Sequence, residues 1–99
     1  MCNAENRELR GWMLHIINRA RPYGASFRLV EETLCEMGYS VPENEIKTHL
    51  LYLQRRGYIH MEEKQAAGVM RRMNFVTPDG MDLLEGNIDA DPGVMLVRP

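Results

Sequence analysis

The sequence predicts a mainly α fold with a small β-hairpin, an α+β domain, on three observations. Apolar residues recur at helical spacing in three successive segments before residue 57; the period then changes to two over residues 58–76; and a capped helical segment follows at 77–86. A chain of 99 residues with 44% hydrophobic and 26% charged side chains has the apolar content of one globular domain and room for one modest core. The expected division is a folded domain over residues 1–86 and a C-terminal tail over residues 87–99.

The first helix is read over residues 3–20, where Leu9, Met13, Ile16 and Ala20 form one stripe with Trp12 and Ile17 beside it. Leu14 lies about 140° from that stripe, which reads as apolar surface in excess of one core. Arg21-Pro22-Tyr23-Gly24 breaks the helix, because proline restricts the residue before it and glycine admits left-handed angles. Ser26 then caps a second helix whose stripe is Phe27, Val30, Leu34 and Met37, ending at Gly38. Ser40-Val41-Pro42-Glu43 reads as a capping box that opens a third helix, with Ile46, Leu50 and Leu53 inward and a stop at Gly57. Arg55 and Arg56 suit the negative end of its dipole.

Residues 58–64 alternate, Gln65-Ala66-Ala67-Gly68 marks a turn, and Arg72 to Val76 resumes extended character, so a hairpin is predicted. Thr77 as N-cap and Pro78 at the first helical position open a short fourth helix through Met81, Leu83 and Leu84 to Gly86. The tail carries Asp89, Asp91, Pro92 and Gly93, then the apolar Val94-Met95-Leu96-Val97, which could pack across a partner chain.

Three helices with a tight turn between the second and third, then a hairpin, is the element order of a winged helix-turn-helix with a three-helix core, a two- or three-stranded wing and a short C-terminal helix. Two stretches sharpen this: Ile46-x-x-x-Leu50-x-x-Leu53-x-x-x-Gly57-Tyr58-Ile59, and Val76-Thr77-Pro78-x-Gly80-x-x-Leu83-Leu84 after the hairpin. In these residues the chain resembles winged-helix transcriptional regulators of the MarR, ArsR and PadR kinds. The resemblance implies that the third helix enters the major groove of duplex DNA, that the wing touches flanking backbone or minor groove, and that terminal helices make a homodimer.

Stepping about 100° per residue from the Ile46, Leu50, Leu53 stripe places Asn44, Thr48, Leu51, Tyr52 and Arg55 on the opposite face of the third helix. Asn and Arg can contact adenine and guanine edges, Thr and Leu a thymine methyl, and Tyr52 or Lys47 a phosphate. Lys64, Arg71 and Arg72 are the candidate phosphate contacts of the wing. Charge is segregated: residues 43–76 hold six of the twelve basic side chains, whereas residues 77–99 hold five acidic side chains and one basic, within a net charge of −2. That balance speaks against a non-specific DNA binder and leaves sequence-specific binding open. The alternative is a protein-protein interaction module that docks a larger assembly through Leu51, Tyr52 and the acidic tail.

Catalysis is not expected: no nucleophile elbow, zinc-protease motif or phosphate loop is present, and the adjacent Glu31-Glu32 and Glu62-Glu63 diverge on any regular element. Cys2, Cys35, His15, His49 and His60 lack metal-ligand spacing, so no metal or other cofactor is expected. The apolar runs are too short to span a bilayer and the N-terminus lacks a secretory pattern, so no membrane partner and a cytoplasmic location, at the nucleoid if DNA is bound, are expected.

Overall fold

A computed structural model describes residues 4–98 of the chain. The order is α1 (Ala4–Arg19), β1 (Ala25–Ser26), α2 (Phe27–Glu36), α3 (Glu43–Arg55), β2 (Ile59–Ala66), β3 (Val69–Val76) and α4 (Pro78–Glu85). The predicted elements are present, with the two-residue β1 as a third strand in the antiparallel order β1-β3-β2. Cys2 lies outside the described residues, and Cys35 is exposed with a free thiol.

The core lies between α1 and everything else. Leu9, Met13 and Ile17 of α1 meet Val30 and Leu34 of α2, Ile46 and Leu53 of α3, Val76 of β3 and Leu83 of α4, and all are buried. Leu14 is buried as well, which corrects its reading as spare surface. Its side of the helix is also that of Arg7 and Gly11, and there the tail is laid down: the Met95 amide donates to the Arg7 carbonyl at 3.0 Å, and Val94 joins the core. Gly11 permits this contact, since a Cβ there would stand 1.9 Å from the Met95 carbonyl oxygen. Asp91, Gly93 and Val94 are therefore buried against their own chain and Met95 is half-buried, while Leu96 stays exposed.

Local signals decide the helix ends, with two differences from expectation. Ser26 Oγ accepts from the Leu29 amide and Thr77 Oγ1 from the Gly80 amide, both at 3.1 Å, as N-caps should. At α3 the capping box is absent. The helix starts at Glu43, so its N-cap is Pro42, which has no side chain to offer, and Ser40 is too far back to reach the N3 amide. Glu43 and Glu45 in the first turn supply favourable charge instead. Met37 leaves the core stripe of α2 because the helix ends at Glu36 and Met37 is its exposed cap.

The C-terminus of α3 fixes where the wing begins. The Tyr58 amide donates to Leu53 and the Gly57 amide to Gln54, each at 3.0 Å, with Gly57 at φ +81. These are the two bonds of a Schellman motif, whose left-handed position suits glycine because it has no Cβ. Across the hairpin, Ile59 pairs with Val76 and Lys64 with Arg71, and Asn74 Nδ2 donates to the Ala25 carbonyl at 3.1 Å, tying β1 to the wing root. The two-residue hairpin turn has φ +52 at Ala67 and +78 at Gly68, the double positive φ of a type I′ turn. Alanine is poorly suited there, as its Cβ crowds the neighbouring carbonyl at a cost of about 1–2 kcal/mol. Ala67→Asn should therefore raise stability by about 0.5–1 kcal/mol, read as a higher urea midpoint with unchanged slope.

Candidate nucleic-acid interface

The outward face of α3 follows from what the core takes. Ile46, His49, Leu50 and Leu53 are buried, so the surface opposite them is Asn44, Thr48, Leu51 and Arg55, all exposed. Lys47 and Gln54 fall on one flank and Tyr52 and Glu45 on the other. On the first flank α3 and the wing form a groove of about 320 Å³ lined by Lys47, Leu51, Gln54, Met61 and Arg72. Gln54 and Met61 were not singled out from sequence. Gln54 sits beside Lys47 on the same helical count, whereas Met61 needed the hairpin register, which pairs it with Asn74.

The polar groups on this face differ in how far they are already engaged. Thr48 Oγ1 donates to the Asn44 carbonyl at 2.9 Å, which orients the hydroxyl and leaves its lone pairs outward. Lys47 pairs with Glu43 at 3.0 Å and lies 5.8 Å from the centre of the Phe27 ring. Arg55, Arg71 and Arg72 have no ion-pair partner among the described residues.

Strand alternation separates the wing candidates. Arg72 shares the face of Asn74 and Val76, toward α3, while Arg71 and Lys64 stand opposite one another on the other face. Arg72 is paired in register with Glu63, an opposite charge, but Arg71 is paired with Lys64, a like charge. Like charges directly opposite destabilise a hairpin unless an anion relieves them. Lys64 leans over the Phe75 ring at 5.0 Å, and Phe75 stacks on His60 with centroids 5.4 Å apart.

Tyr52 differs most from its sequence reading as an outward residue. It is half-buried, its hydroxyl donates to Asp91 Oδ1 at 2.8 Å, and the Arg10 and Arg56 guanidinium carbons lie 4.1 and 5.2 Å from its ring centre. At about 240° from Ile46 it sits at the margin of the face, where α1 and the tail reach it. The acidic tail likewise does not present Asp91 to solvent: Tyr58 donates to Oδ2 at 2.8 Å, the Gly93 amide to Oδ1 at 2.7 Å, and Arg56 Nε lies 3.6 Å away. Burial would raise this carboxyl, but the Gly93 amide, the two hydroxyls and Arg56 outweigh it and hold it below the ordinary range. Burial and the bond to Asp91 push Tyr58 up to about 12.

Among the described residues no group of three or more His, Cys, Asp or Glu could hold a metal ion, and no helix is long and apolar enough to cross a membrane.

No protein-family model matches the sequence, and no curated protein matches it. Solved structures do match. A PadR family transcription regulator from Clostridium difficile superposes with a TM-score of 0.69 at 16% identity, over 80% of this chain and 81% of that one. A PadR family transcriptional regulator from Eggerthella lenta gives 0.62 at 17%, over 80% and 71%. Bacillus subtilis PadR, solved in complex with operator DNA, gives 0.62 at 21%, over 85% of this chain and half of that one. The fold is a winged helix. It is shared with PadR-type regulators, and within it α2 and α3 form the helix-turn-helix and β2–β3 the wing.

α3 also carries one buried titratable group, His49. His49 Nδ1 accepts from Arg10 Nε at 3.2 Å, so the ring proton sits on Nε2, which has no hydrogen-bond partner and lies 3.9 Å from Glu45. Burial first, then Arg10, lower the His49 pKa, with Glu45 opposing. The unfolded chain therefore takes up this proton before the folded one, and stability, full above about pH 6.5, falls as pH drops toward the folded value. Urea unfolding from pH 7.5 to 5.5 should show that decline, and a His49→Gln variant should show a shallower one. His15, also lowered by burial and by Arg19, supplies the remainder.

Proposed function

We propose that this chain is a sequence-specific duplex-DNA-binding transcriptional regulator that acts as a homodimer and has no enzymatic activity. The observation that carries this reading is the exposed face of α3, where Asn44, Thr48, Leu51 and Arg55 stand in one row flanked by Lys47. Arg55 would read a guanine edge, Asn44 an adenine edge, and Leu51 with Thr48 a thymine methyl. Arg72 and Lys47, on either side of the groove between α3 and the wing, would take one phosphate strand. Lys64 and Arg71 would take another, which would also offset their mutual repulsion. Tyr52 is left out of the contact set, since its hydroxyl is bound to Asp91. The operator complex of Bacillus subtilis PadR supports the partner class through fold likeness alone.

The dimer rests on different surface from that expected at the outset. Leu14 and the tail are used within the chain, whereas a groove of about 450 Å³ between α1 and α2, lined by Trp12, Ile16, Ala20, Leu29 and Met37, is open. A second reading, a protein-docking winged helix, is favoured by the exposed Val69 and Met70 beside the wing turn together with Leu51 and Met61.

Selection from a random duplex pool separates the two readings. Enrichment of an inverted repeat is expected, and failure to enrich any sequence would move the assignment to protein docking. Against the selected site, Arg55→Ala should lose about 1–3 kcal/mol of binding with unchanged melting. Replacing Arg71 and Arg72 together by alanine should reduce the slope of log K against log salt by about 2 per protomer, with sequence preference retained.

A further inference from the structure

The tail makes a set of contacts whose geometry exceeds what a covered terminus requires. From α1 it takes the Arg7 carbonyl, bonded to the Met95 amide, and Arg10, whose Nη1 donates to the Gly93 carbonyl at 3.0 Å. The same Arg10 holds His49 on α3 through Nε. From the far side, the single Asp91 carboxylate gathers Tyr52 of α3, Arg56 at its C-cap, and Tyr58, the residue between α3 and the wing. Tyr58 is itself fixed at the wing root, because its carbonyl accepts from the Thr77 amide at 3.0 Å and a Cβ on Gly80 would stand 2.2 Å from that oxygen. One buried anion thus spans the helix, its cap and the residue just before the hairpin, and the segment bearing it is bonded to the helix behind them. A carboxylate with three hydrogen-bond donors and a guanidinium constrains direction as well as distance.

We propose that residues 91–95 are a latch that sets the position of the recognition helix and wing relative to α1, with Asp91 as a positioning residue for DNA recognition. This rests on the DNA-binding reading above. Asp91 lies beside the reading face and touches no base or phosphate; it acts through Tyr52 and Tyr58. Its loss leaves the elements folded but lets α3 and the wing root rotate against one another, so that contacts made simultaneously by Arg55 and Arg72 are no longer in register.

The test compares Asp91→Asn with Leu83→Ala, a truncation of the buried core in α4, at a temperature where both are folded. Asp91→Asn is expected to weaken binding of the selected duplex about tenfold and Leu83→Ala less than about twofold. Equal affinities for wild type and Asp91→Asn, or equal losses in both variants, would overturn the proposal. Should Asp91→Asn not fold, Tyr52→Phe, which removes one hydroxyl from the cluster, carries the test with an expected loss of about threefold; no loss overturns it. Amide hydrogen exchange without DNA keeps this outcome distinct from that of the DNA-binding reading. Relative to core amides of the same protein, residues 56–60 should exchange about tenfold faster in Asp91→Asn, whereas in Leu83→Ala they should change only in step with the core, and no such local change in Asp91→Asn overturns the latch even if no duplex is bound.

Discussion

A helix whose buried side chains spread beyond a single stripe needs cover from more than one direction, and α1 is that helix. Leu9, Met13, Leu14 and Ile17 are fully buried on it, and α2, α3, α4 and β3 all pack against it. On the side that carries Arg7, Gly11 and Leu14, that cover is the tail. Gly11 is the local consequence, since the Met95 carbonyl approaches to where any side chain would be. The placement of α3 follows in turn, because His49 and Tyr52 face α1 and the tail while Ile46, Leu50 and Leu53 face the core. What remains exposed opposite the core is the row of Asn44, Thr48, Leu51 and Arg55.

Much of this was legible in the sequence, for identifiable reasons. The stripes of α1 and α3, the caps Ser26 and Thr77, and the stop at Gly57 are local signals whose physics acts within a few residues, and each appears where expected. The switch to period two placed the hairpin. Illegible were features that depend on contacts remote in sequence. Leu14 reads as surplus on a helical wheel because nothing in residues 1–20 announces that residues 94 and 95 will cover it. Tyr52 reads as outward because its carboxylate partner is 39 positions away. Two errors were local: Met37 continues the α2 stripe in sequence but falls just past the end of the helix, and Ser40 satisfies a capping-box pattern that demands Glu43 as the third helical residue when it is the first.

The candidate site was legible to a similar depth. Helical counting alone brought Asn44, Thr48, Leu51 and Arg55 together, because a single element holds them. The wing was harder, since adjacent Arg71 and Arg72 point to opposite faces once the register is known. Arg72 belongs to the groove with Lys47 and Gln54, and Arg71 to the outer face with Lys64.

That division bears on how charge is distributed in a chain of net charge −2. Attraction to phosphate is set by charges within about 10 Å at ordinary ionic strength, so distribution matters more than the sum. Asp91 illustrates the point: counted as part of an acidic tail it opposes DNA, but it is buried and offset by Arg56. Glu43 partly offsets Lys47, and Glu63 stands opposite Arg72, whereas Arg55 lies on the open face and Lys64 stands opposite Arg71 without a carboxylate in register. A hairpin selected for stability alone would place a carboxylate across from one of those last two. Under the proposed function, a phosphate between these two cations would offset the repulsion that their strand pairing carries.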